Sequence, residues 1–234
     1  MSKHPENKYS NNDFFNRIQE ELDDLKEAVK DKNIIPFCNQ KSLLEIKIET
    51  LKKVKQIDEI CVSTNCNKMK SVASKLGATV IDRDDHYCSS SVPMNDVYEY
   101  LAKNIDCNIV LYTNVTNPLV RSKTYETCIE KFFDSLTIGY DSLTTTCLVK
   151  ENLWLDGKPI NYDPSTHPRS QDLPDIHALN FAISIISRLD MELNRNIIGK
   201  RFFPFKLDKI EGLDIDDNDD FVLAQNLYQI HSDT

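Results

Sequence analysis

Apolar residues recur at helical spacing in two stretches near the start of the chain. Residues 13–31 carry one apolar stripe preceded by Asn12 or Asp13 as a cap, and its members are Phe14, Ile18, Leu22, Leu25 and Val29. This spacing predicts an amphipathic helix. Residues 41–54, "KSLLEIKIETLKKV", predict a second helix, because Ser42 and Glu45 have the spacing of a capping box.

After residue 58, short apolar runs alternate with helical stretches. The predicted strands are "EICVST", expected to be buried, "ATVID" and "NIVLYT", and the predicted helices are "KMKSVASKL", "MNDVYEYLAKN" and "SKTYETCIEKFFDSL". Such alternation predicts an α/β fold with a mostly parallel sheet flanked by helices. Ligands bind beyond the carboxyl ends of the strands in such sheets. Asn65, residues 83–91 and the loop "TNVTNP" follow those ends.

From Ser142 onward the pattern becomes that of antiparallel strands. "SLTTTCLVK" and "LWLDGKPIN" predict strands, and Asp156-Gly157 suits a hairpin turn. We expect a small antiparallel elaboration over residues 142–178. No repeat or linker divides the chain, so one domain is predicted over residues 32–230, preceded by an N-terminal helical extension at residues 1–31.

Charge and cysteine usage narrow the function classes. The formal net charge is −9, which argues against nucleic acid as a partner because neutralising phosphates needs a basic surface. No apolar run approaches membrane-spanning length, and the polar N-terminus has no signal-peptide core. The seven cysteines are scattered without a CxxC pair, so we expect free, mostly buried thiols. A cytoplasmic protein with no membrane partner is predicted.

An acidic cluster at residues 211–224, "EGLDIDDNDDFVLA", has two physical interpretations. Asp214 and Asp216 alternate with Ile215 as at the end of a strand, so both carboxylates would point to one side. They repel each other unless a cation or proton lies between them, and hard oxygen ligands suit Mg²⁺. The other interpretation is an acidic helix start, which explains the aspartates that follow, namely Asp217, Asp219 and Asp220.

Several strings, in order, resemble the cytidylyltransferases of the CMP-sialic acid synthetase type. They begin near "KNIIPFCNQKSLLEIKIETLKKVKQIDEICVST" and continue with "VLYTNVTNPL", "HPRSQDLP", "ALNFAISI" and "GLDIDDNDD". The resemblance covers residues 32–228 and implies a Rossmann-like nucleotidyltransferase fold. In active members of that family, Mg²⁺ assists attack of a sugar hydroxyl on the α-phosphorus of CTP, and pyrophosphate leaves. CTP and an acidic sugar would then be the partners, and Asp214 and Asp216 the metal ligands.

On the nucleotide side, the resemblance assigns Lys32 and Asn33 to the end of the nucleotide loop, with Lys32 as a catalytic group. Arg83, with Ser90 or Ser91 after it, would contact the base and ribose. Each assignment has a plain alternative, which is a helix end for the first pair and a solvated turn for Arg83.

On the sugar side, the resemblance assigns Asn114, Arg169, Gln171 and Asn180 to the acidic sugar. Arg169 would act as a second catalytic group that pairs with the sugar carboxylate in a bidentate manner. The alternatives are a loop-capping amide for Asn114 and a surface salt bridge for Arg169. The family also implies a homodimer formed through residues 142–178, where Trp154, Leu155 and Ile160 would lie on a protruding arm.

The sequence departs from the family at its opening. The usual short apolar strand and glycine-containing phosphate loop are absent before Lys32. Losing one stabiliser of the transferring phosphates commonly costs on the order of 10²–10³ in rate. Two hypotheses therefore stand. In an active CMP-sugar synthetase, Lys32, Lys41 or a partner subunit would replace the loop. In a non-catalytic homologue, the chain would bind nucleotide or sugar, or act as a structural subunit.

Overall fold

The computed structural model describes residues 31–232. The helix predicted over residues 13–31 lies outside the described residues except for Asp31, which begins a turn. Within residues 31–232, no helix has both the length and the apolar character needed to cross a membrane.

Helices and strands alternate through most of the described chain. The helices are α1 (Leu43–Leu51), α2 (Asn67–Lys75), α3 (Met94–Lys103), α4 (Ser122–Leu136), α5 (Arg188–Asn194) and α6 (Asn218–Ser232). The strands are β1 (Cys61–Thr64), β2 (Thr79–Asp82), β3 (Ile109–Tyr112), β4 (Ser142–Val149), β5 (Trp154–Leu155), β6 (Lys158–Pro159), β7 (Ile176–Ser187) and β8 (Phe202–Lys206). Two 3₁₀ turns span Asp85–Cys88 and Ser170–Asp172.

Local sequence signals explain several element ends. The hydroxyl of Ser42 accepts the backbone N–H of Glu45 at 3.3 Å, and the Glu45 carboxylate accepts the N–H of Ser42 at 2.8 Å. The predicted capping box of α1 is therefore confirmed. The predicted hairpin turn is also confirmed, because Asp156 and Gly157 have φ angles of 49° and 73° between the antiparallel strands β5 and β6.

The sheet is divided into two main parts. β1 and β2 form a parallel pair, and a four-stranded sheet has the order β3–β7–β4–β8. In that sheet β7 runs antiparallel to β3 and β4, whereas β4 and β8 are parallel. Hence β3, β4 and β8 share one direction. The predicted mostly parallel α/β arrangement is confirmed. The elements β7, α5 and β8 were not predicted individually from the sequence.

Helices cover both faces of the four-stranded sheet. Ile185 of β7 is buried in one cluster with Tyr125 and Phe132 of α4. Its neighbour Ile186 is buried on the opposite face with Met191 of α5. Successive strand residues point to opposite faces, so β7 is the central apolar strand of a three-layer α/β/α core.

β1 is less buried than its apolar sequence predicts. Cys61 is exposed, Val62 and Ser63 are partly buried, and Thr64 alone in the strand is buried. The expectation of a buried strand is therefore wrong for most of β1. The physical reason is that β1 has a strand partner on one side only, among the described residues.

All seven cysteines are free thiols, as predicted. Cys38 and Cys128 are buried. The expectation of burial is wrong for the three exposed thiols, which are Cys61, Cys88 and Cys107.

Replacing Ser42 by Ala should lower the free energy of unfolding by about 1 kcal/mol, because the Ser42 hydroxyl accepts the N–H of Glu45 and donates to the Glu45 carboxylate, and both of these bonds are lost. Urea unfolding followed by circular dichroism measures the change. Ser74→Ala, at an exposed position inside α2, is the matched control and should be close to neutral. Equal effects of the two changes would contradict a stabilising role of the capping box.

Candidate functional site

The aspartate segment lies along the loop that follows β3. The N–H of Ile215 donates to the Thr116 carbonyl at 3.0 Å, and the Asn117 side chain donates to the Leu213 carbonyl at 3.0 Å. Residues 213–216 are irregular rather than the predicted strand end, because this single backbone bond does not extend into a ladder. Ile215 is nevertheless fully buried while Asp216 is exposed, so the alternation of apolar and acidic side chains is retained.

Two lysines lie at this segment. The Lys32 ammonium donates to the carbonyl of Ile215, between Asp214 and Asp216. The buried Lys47 ammonium donates to the Asn117 carbonyl at 2.9 Å and to the Tyr125 hydroxyl at 2.6 Å. Burial lowers the pKa of Lys47 to about 7, and the negative charge of Asp214 partly opposes this.

Lys47 is not among the residues predicted for the site, although its position in the sequence indicates burial. Lys47 follows Leu43 by four positions and Leu44 by three, so it lies on the apolar stripe of α1. A lysine at such a position is buried, so its ammonium group needs hydrogen-bond or charge partners inside the protein.

The site also holds buried acceptor oxygens without a donor. Asn33, Asn117 and Asp214 each have a buried Oδ1 atom with no hydrogen-bond partner within residues 31–232. Buried acceptors are normally satisfied, so these atoms suit an incoming donor or cation. No group of three or more His, Cys, Asp or Glu residues that could hold a metal occurs in the described part of the chain. Mg²⁺ is commonly held by one or two carboxylates plus substrate phosphates, so Asp214 and Asp216 fit that ion.

The remaining aspartates cap α6, as the second interpretation of the acidic cluster predicts. Asp217 accepts the N–H of Asp220 at 2.9 Å. The Asp220 carboxylate in turn accepts the N–H groups of Asp216 and Asp217 at 3.1 and 3.3 Å. Asp216 therefore contributes its backbone to the cap and keeps its own carboxylate exposed.

Asn180 lies on an irregularity of β7 next to the aspartate segment. The β4–β7 register shifts between Thr144 and Thr146, and Phe181 has a φ of 51°. The Thr145 hydroxyl donates to the Asn180 side-chain oxygen at 2.6 Å. A bulge re-aims a side chain and often occurs beside functional sites. No local sequence pattern indicates this bulge, because it depends on pairing with β4.

Gly212 allows the aspartate segment to approach this bulge. A Cβ atom on Gly212 would lie 2.3 Å from the Cys147 sulfur and 3.2 Å from the Asn180 side-chain nitrogen. Any larger residue would push the segment away from Asn180. Asn180 and Asp214 are therefore brought to the same edge of the sheet.

Asn114 belongs to that edge as well. It follows Thr113, whose hydroxyl donates to the Ala182 carbonyl at 2.6 Å and contacts the Tyr125 hydroxyl at 2.9 Å. Arg83 follows directly after β2. Burial raises the pKa of Tyr112 at the end of β3, and the positive charge of Arg83 partly opposes this rise. The Arg83 guanidinium donates to the Ser63 carbonyl at 3.0 Å and to the Ser63 hydroxyl at 3.1 Å.

Three assigned residues have only local contacts among the described residues. Ser91 is exposed and bonds to Ser89. Arg169 is exposed and pairs with Asp172 at 2.9 Å, which is the arrangement of a surface salt bridge. Gln171 lies exposed on the same 3₁₀ turn. The site assignments of these residues stay predictions.

Lys41 lies in a different part of the molecule. Its ammonium pairs with Glu49 at 2.7 Å, and both residues line a cavity of about 490 Å³ that Arg121 and Tyr228 also border. The residues that line this cavity include none of those at the aspartate segment.

Changing Lys47 to Met should remove a pH-dependent part of the stability. The folded-state pKa of about 7 lies below the ordinary value of 10.5, so the unfolded chain binds more protons between these pH values. The wild type should therefore gain stability relative to Lys47→Met as pH rises from 7 to 9.5, by up to about 1.4 kcal/mol per pH unit. Urea unfolding at several pH values measures this. The exposed Lys53→Met is the control, and a parallel pH dependence of Lys47→Met and wild type would contradict the burial argument.

The sequence profile described as "Cytidylyltransferase" matches residues 27–153, which is more than half of the chain. N-acylneuraminate cytidylyltransferase of Oncorhynchus mykiss is 23% identical over 180 residues, which cover 73% of this chain and 40% of that protein. The chain thus spans less than half the length of this relative.

Solved structures show the same fold. The 4-diphosphocytidyl-2C-methyl-D-erythritol synthase of Anaerococcus prevotii has a TM-score of 0.61 at 13% identity, with 82% of this chain and 88% of that chain covered. CMP:2-keto-3-deoxy-manno-octonic acid synthetase in complex with CTP has a TM-score of 0.60 at 14% identity, with 87% and 92% covered. The predicted Rossmann-like nucleotidyltransferase fold is confirmed, and the chain belongs to the cytidylyltransferase family.

Proposed function

We propose that the protein transfers CMP from CTP to an acidic sugar and releases pyrophosphate. The observation that carries the proposal is the position of the Lys32 ammonium on the Ile215 carbonyl, between the carboxylate-bearing residues Asp214 and Asp216. A nucleotide-side cation and the acidic pair thus meet at one edge of the sheet. Membership of the cytidylyltransferase family supports the reaction class.

In this reaction a sugar hydroxyl oxygen bonds to the α-phosphorus of CTP, and the bond from that phosphorus to the bridging oxygen breaks. Pyrophosphate leaves, and the hydroxyl proton passes to water. Negative charge grows on the leaving phosphates, so a fixed ammonium group such as that of Lys32 stabilises the transition state. Asn33 would help to hold the nucleotide beside it.

Asp214 and Asp216 would hold Mg²⁺, which would supply positive charge to offset that of the phosphates. Lys47 acts here as a positioning residue, because it fixes the Asn117 loop against which the aspartate segment lies. One carboxylate oxygen of Asp214 is buried and has no hydrogen-bond partner among the described residues, so it is available to a cation.

An acidic acceptor is proposed from the sugar-side residues and the named relatives. The Asn180 amide is held in place by Thr145, and Asn114 follows the neighbouring strand. Arg169 would exchange its partner Asp172 for the sugar carboxylate, with Gln171 beside it. The relatives' names specify N-acylneuraminate and 2-keto-3-deoxy-manno-octonic acid, both acidic sugars.

A second candidate is a non-catalytic subunit that binds nucleotide or sugar. This candidate is favoured because three basic side chains already have partners within the protein. Lys32 bonds to the Ile215 carbonyl, Arg83 to Ser63 and Lys41 to Glu49. The phosphate loop typical of the family is also absent from the sequence before Lys32.

Pyrophosphate release from CTP and Mg²⁺, measured across a panel of nonulosonic acids and Kdo, tests the proposed activity. Calorimetric titration of Mg·CTP runs in parallel. Release with an acidic sugar supports the transferase. Binding without release supports the non-catalytic subunit, and absence of both contradicts either function.

Asp216→Asn should weaken Mg²⁺-dependent CTP binding by about tenfold or more, because one charged ligand is lost with little change of shape. Folding should be undisturbed, since Asp216 is exposed. Asp219→Asn, at an exposed position in the first turn of α6, is the control and should keep wild-type binding. Calorimetry measures all three proteins. Equal binding by all of them would rule out Asp216 as a metal ligand.

We further propose that the hairpin β5–β6 mediates a homodimer. It exposes Trp154, Leu155 and Ile160 by 55, 62 and 57%, and such apolar clusters mark contact sites. Light scattering at micromolar concentration should show a dimer for the wild type and a monomer for Leu155→Asp. Leu193→Asp, at an exposed position on α5, should remain dimeric. A monomeric wild type would refute the proposal.

A further inference from the structure

A buried carboxylate lies just before the aspartate segment, three positions ahead of Asp214. Glu211 is only 5% exposed. Acidic side chains are almost never fully buried unless they are paired. The partners of Glu211 therefore show what its burial achieves.

The partners of this carboxylate lie at the start of α4. Its Oε1 atom accepts the Nε–H of Arg121 at 2.6 Å and the backbone N–H of the same residue at 3.3 Å. The Thr124 hydroxyl lies 2.8 Å from each carboxylate oxygen, so it can donate to either. Glu211 is thus joined to the cap residue and to the first turn of α4.

Arg121 offsets the cost of burying this negative charge. The hydrogen bond to Glu211 raises the pKa of Arg121, and the guanidinium also lies 3.9 Å from the Asp208 carboxylate. Hydrogen bonds between ionised partners are shorter and stronger than neutral ones. A buried charge with such partners is stable, whereas removing one partner is costly.

The backbone around Glu211 is fixed as well. The Asp208 carboxylate accepts the N–H groups of Ile210 and Glu211 at 2.9 and 2.8 Å. The Gly212 N–H donates to the Asp208 carbonyl at 3.0 Å. Residues 208–212 therefore form a hydrogen-bonded turn, and the chain leaves this turn directly into the aspartate segment.

The loop after β3 and the start of α4 hold this part of the chain at three points. The carbonyl of Thr116 and the side chain of Asn117 bond to the backbone of the aspartate segment. The contact of Glu211 with Arg121 and Thr124 is the third point. Thr116 and Asn117 lie in irregular backbone, so only the contact at Glu211 is made to a helix.

Support from a helix matters because the aspartates themselves lie in irregular backbone. Residues 213–216 belong to no strand, so no ladder sets the distance between Asp214 and Asp216. Groups that bind a metal must be held to within about 0.5 Å, and helices hold them more precisely than loops do. The pairing of Glu211 supplies such support.

We propose that Glu211 is a positioning residue for the metal-binding aspartates, and that it acts by fixing the start of their segment to the first turn of α4. Because Asp214 and Asp216 are taken as the ligands of Mg²⁺, this proposal rests on the proposed function. Glu211 is not itself a ligand, since both of its oxygens already have donors. Its effect reaches the ion through the backbone.

Amide hydrogen exchange of the full chain, without ligand, tests the fixing of the segment. Glu211→Gln keeps the size of the side chain, but it removes the charge and turns an NH₂ group toward the donors. The Ile215 amide, which bonds to the Thr116 carbonyl, should then exchange about tenfold faster or more. Glu126→Gln, which breaks a pair with Lys123 on α4, is the matched control and should leave this rate unchanged. Equal rates in Glu211→Gln and wild type overturn the proposal.

A second variant keeps the test decisive if Glu211→Gln fails to fold. Thr124→Val removes the hydroxyl that both carboxylate oxygens share and keeps the shape of the side chain. It should speed exchange of the Ile215 amide in the same direction but by less. Where both variants fold, the double variant should resemble Glu211→Gln, because the two changes remove one contact. No effect of Thr124→Val, or additive effects of the two changes, overturns the proposal.

Metal affinity separates positioning from a purely structural role. Mn²⁺ accepts the same oxygen ligands as Mg²⁺, and its paramagnetic broadening of the Asp214 and Asp216 amides gives its affinity without CTP. Glu211→Gln should weaken Mn²⁺ binding by about tenfold, and Glu126→Gln should bind as the wild type does. A loss of stability in urea with unchanged Mn²⁺ affinity would mean that Glu211 only stabilises the fold, which overturns the proposal.

The same titration distinguishes failure of this proposal from failure of the proposed function. If the wild type binds Mn²⁺ at the aspartates and Glu211→Gln binds it equally, the aspartates remain metal ligands and only the role of Glu211 is refuted. If the wild type shows no broadening of the two amides, the metal role of the aspartates is refuted and the positioning role with it.

Discussion

The buried ammonium of Lys47 connects the segments from which the candidate site is built. It joins α1 to the loop after β3 through Asn117 and to α4 through Tyr125. Through Thr113, the Tyr125 hydroxyl continues this network to the backbone of β7. A buried charge is costly unless it is paired and hydrogen-bonded. Only an arrangement of these elements that keeps the hydrogen bonds of Lys47 is therefore stable. The position of the aspartate segment follows from that arrangement.

Sequence reasoning succeeded where the physical cause was local. The bounds of α4 and the Gly77 end of α2, with a φ of 69°, follow from side-chain spacing and backbone conformation within a few residues. The cap of α6 at Asp217 is equally local. The position of Asn114 just beyond the carboxyl end of β3 also follows from the local pattern, because "NIVLYT" is recognisable as a strand.

Features that depend on distant partners could not be predicted in this way. The bulge at Asn180 is held by Thr145, 35 positions earlier in the chain. The position of Lys47 on the apolar stripe of α1 indicates burial, but its partners Asn117 and Tyr125 are 70 and 78 positions away and give no local signal. For Arg169, the spacing allowed either a sugar contact or a salt bridge, and the pairing with Asp172 three positions later does not decide between them, because an exposed ion pair is worth little and is readily exchanged.

Arg83 connects β1 to the candidate site. Its guanidinium donates to the Ser63 carbonyl and to the Ser63 hydroxyl. The Lys32 ammonium likewise donates to the Ile215 carbonyl. A triphosphate bound beyond the carboxyl ends of the strands would compete with these two partners, so the binding energy of the nucleotide includes the loss of bonds that the protein already makes.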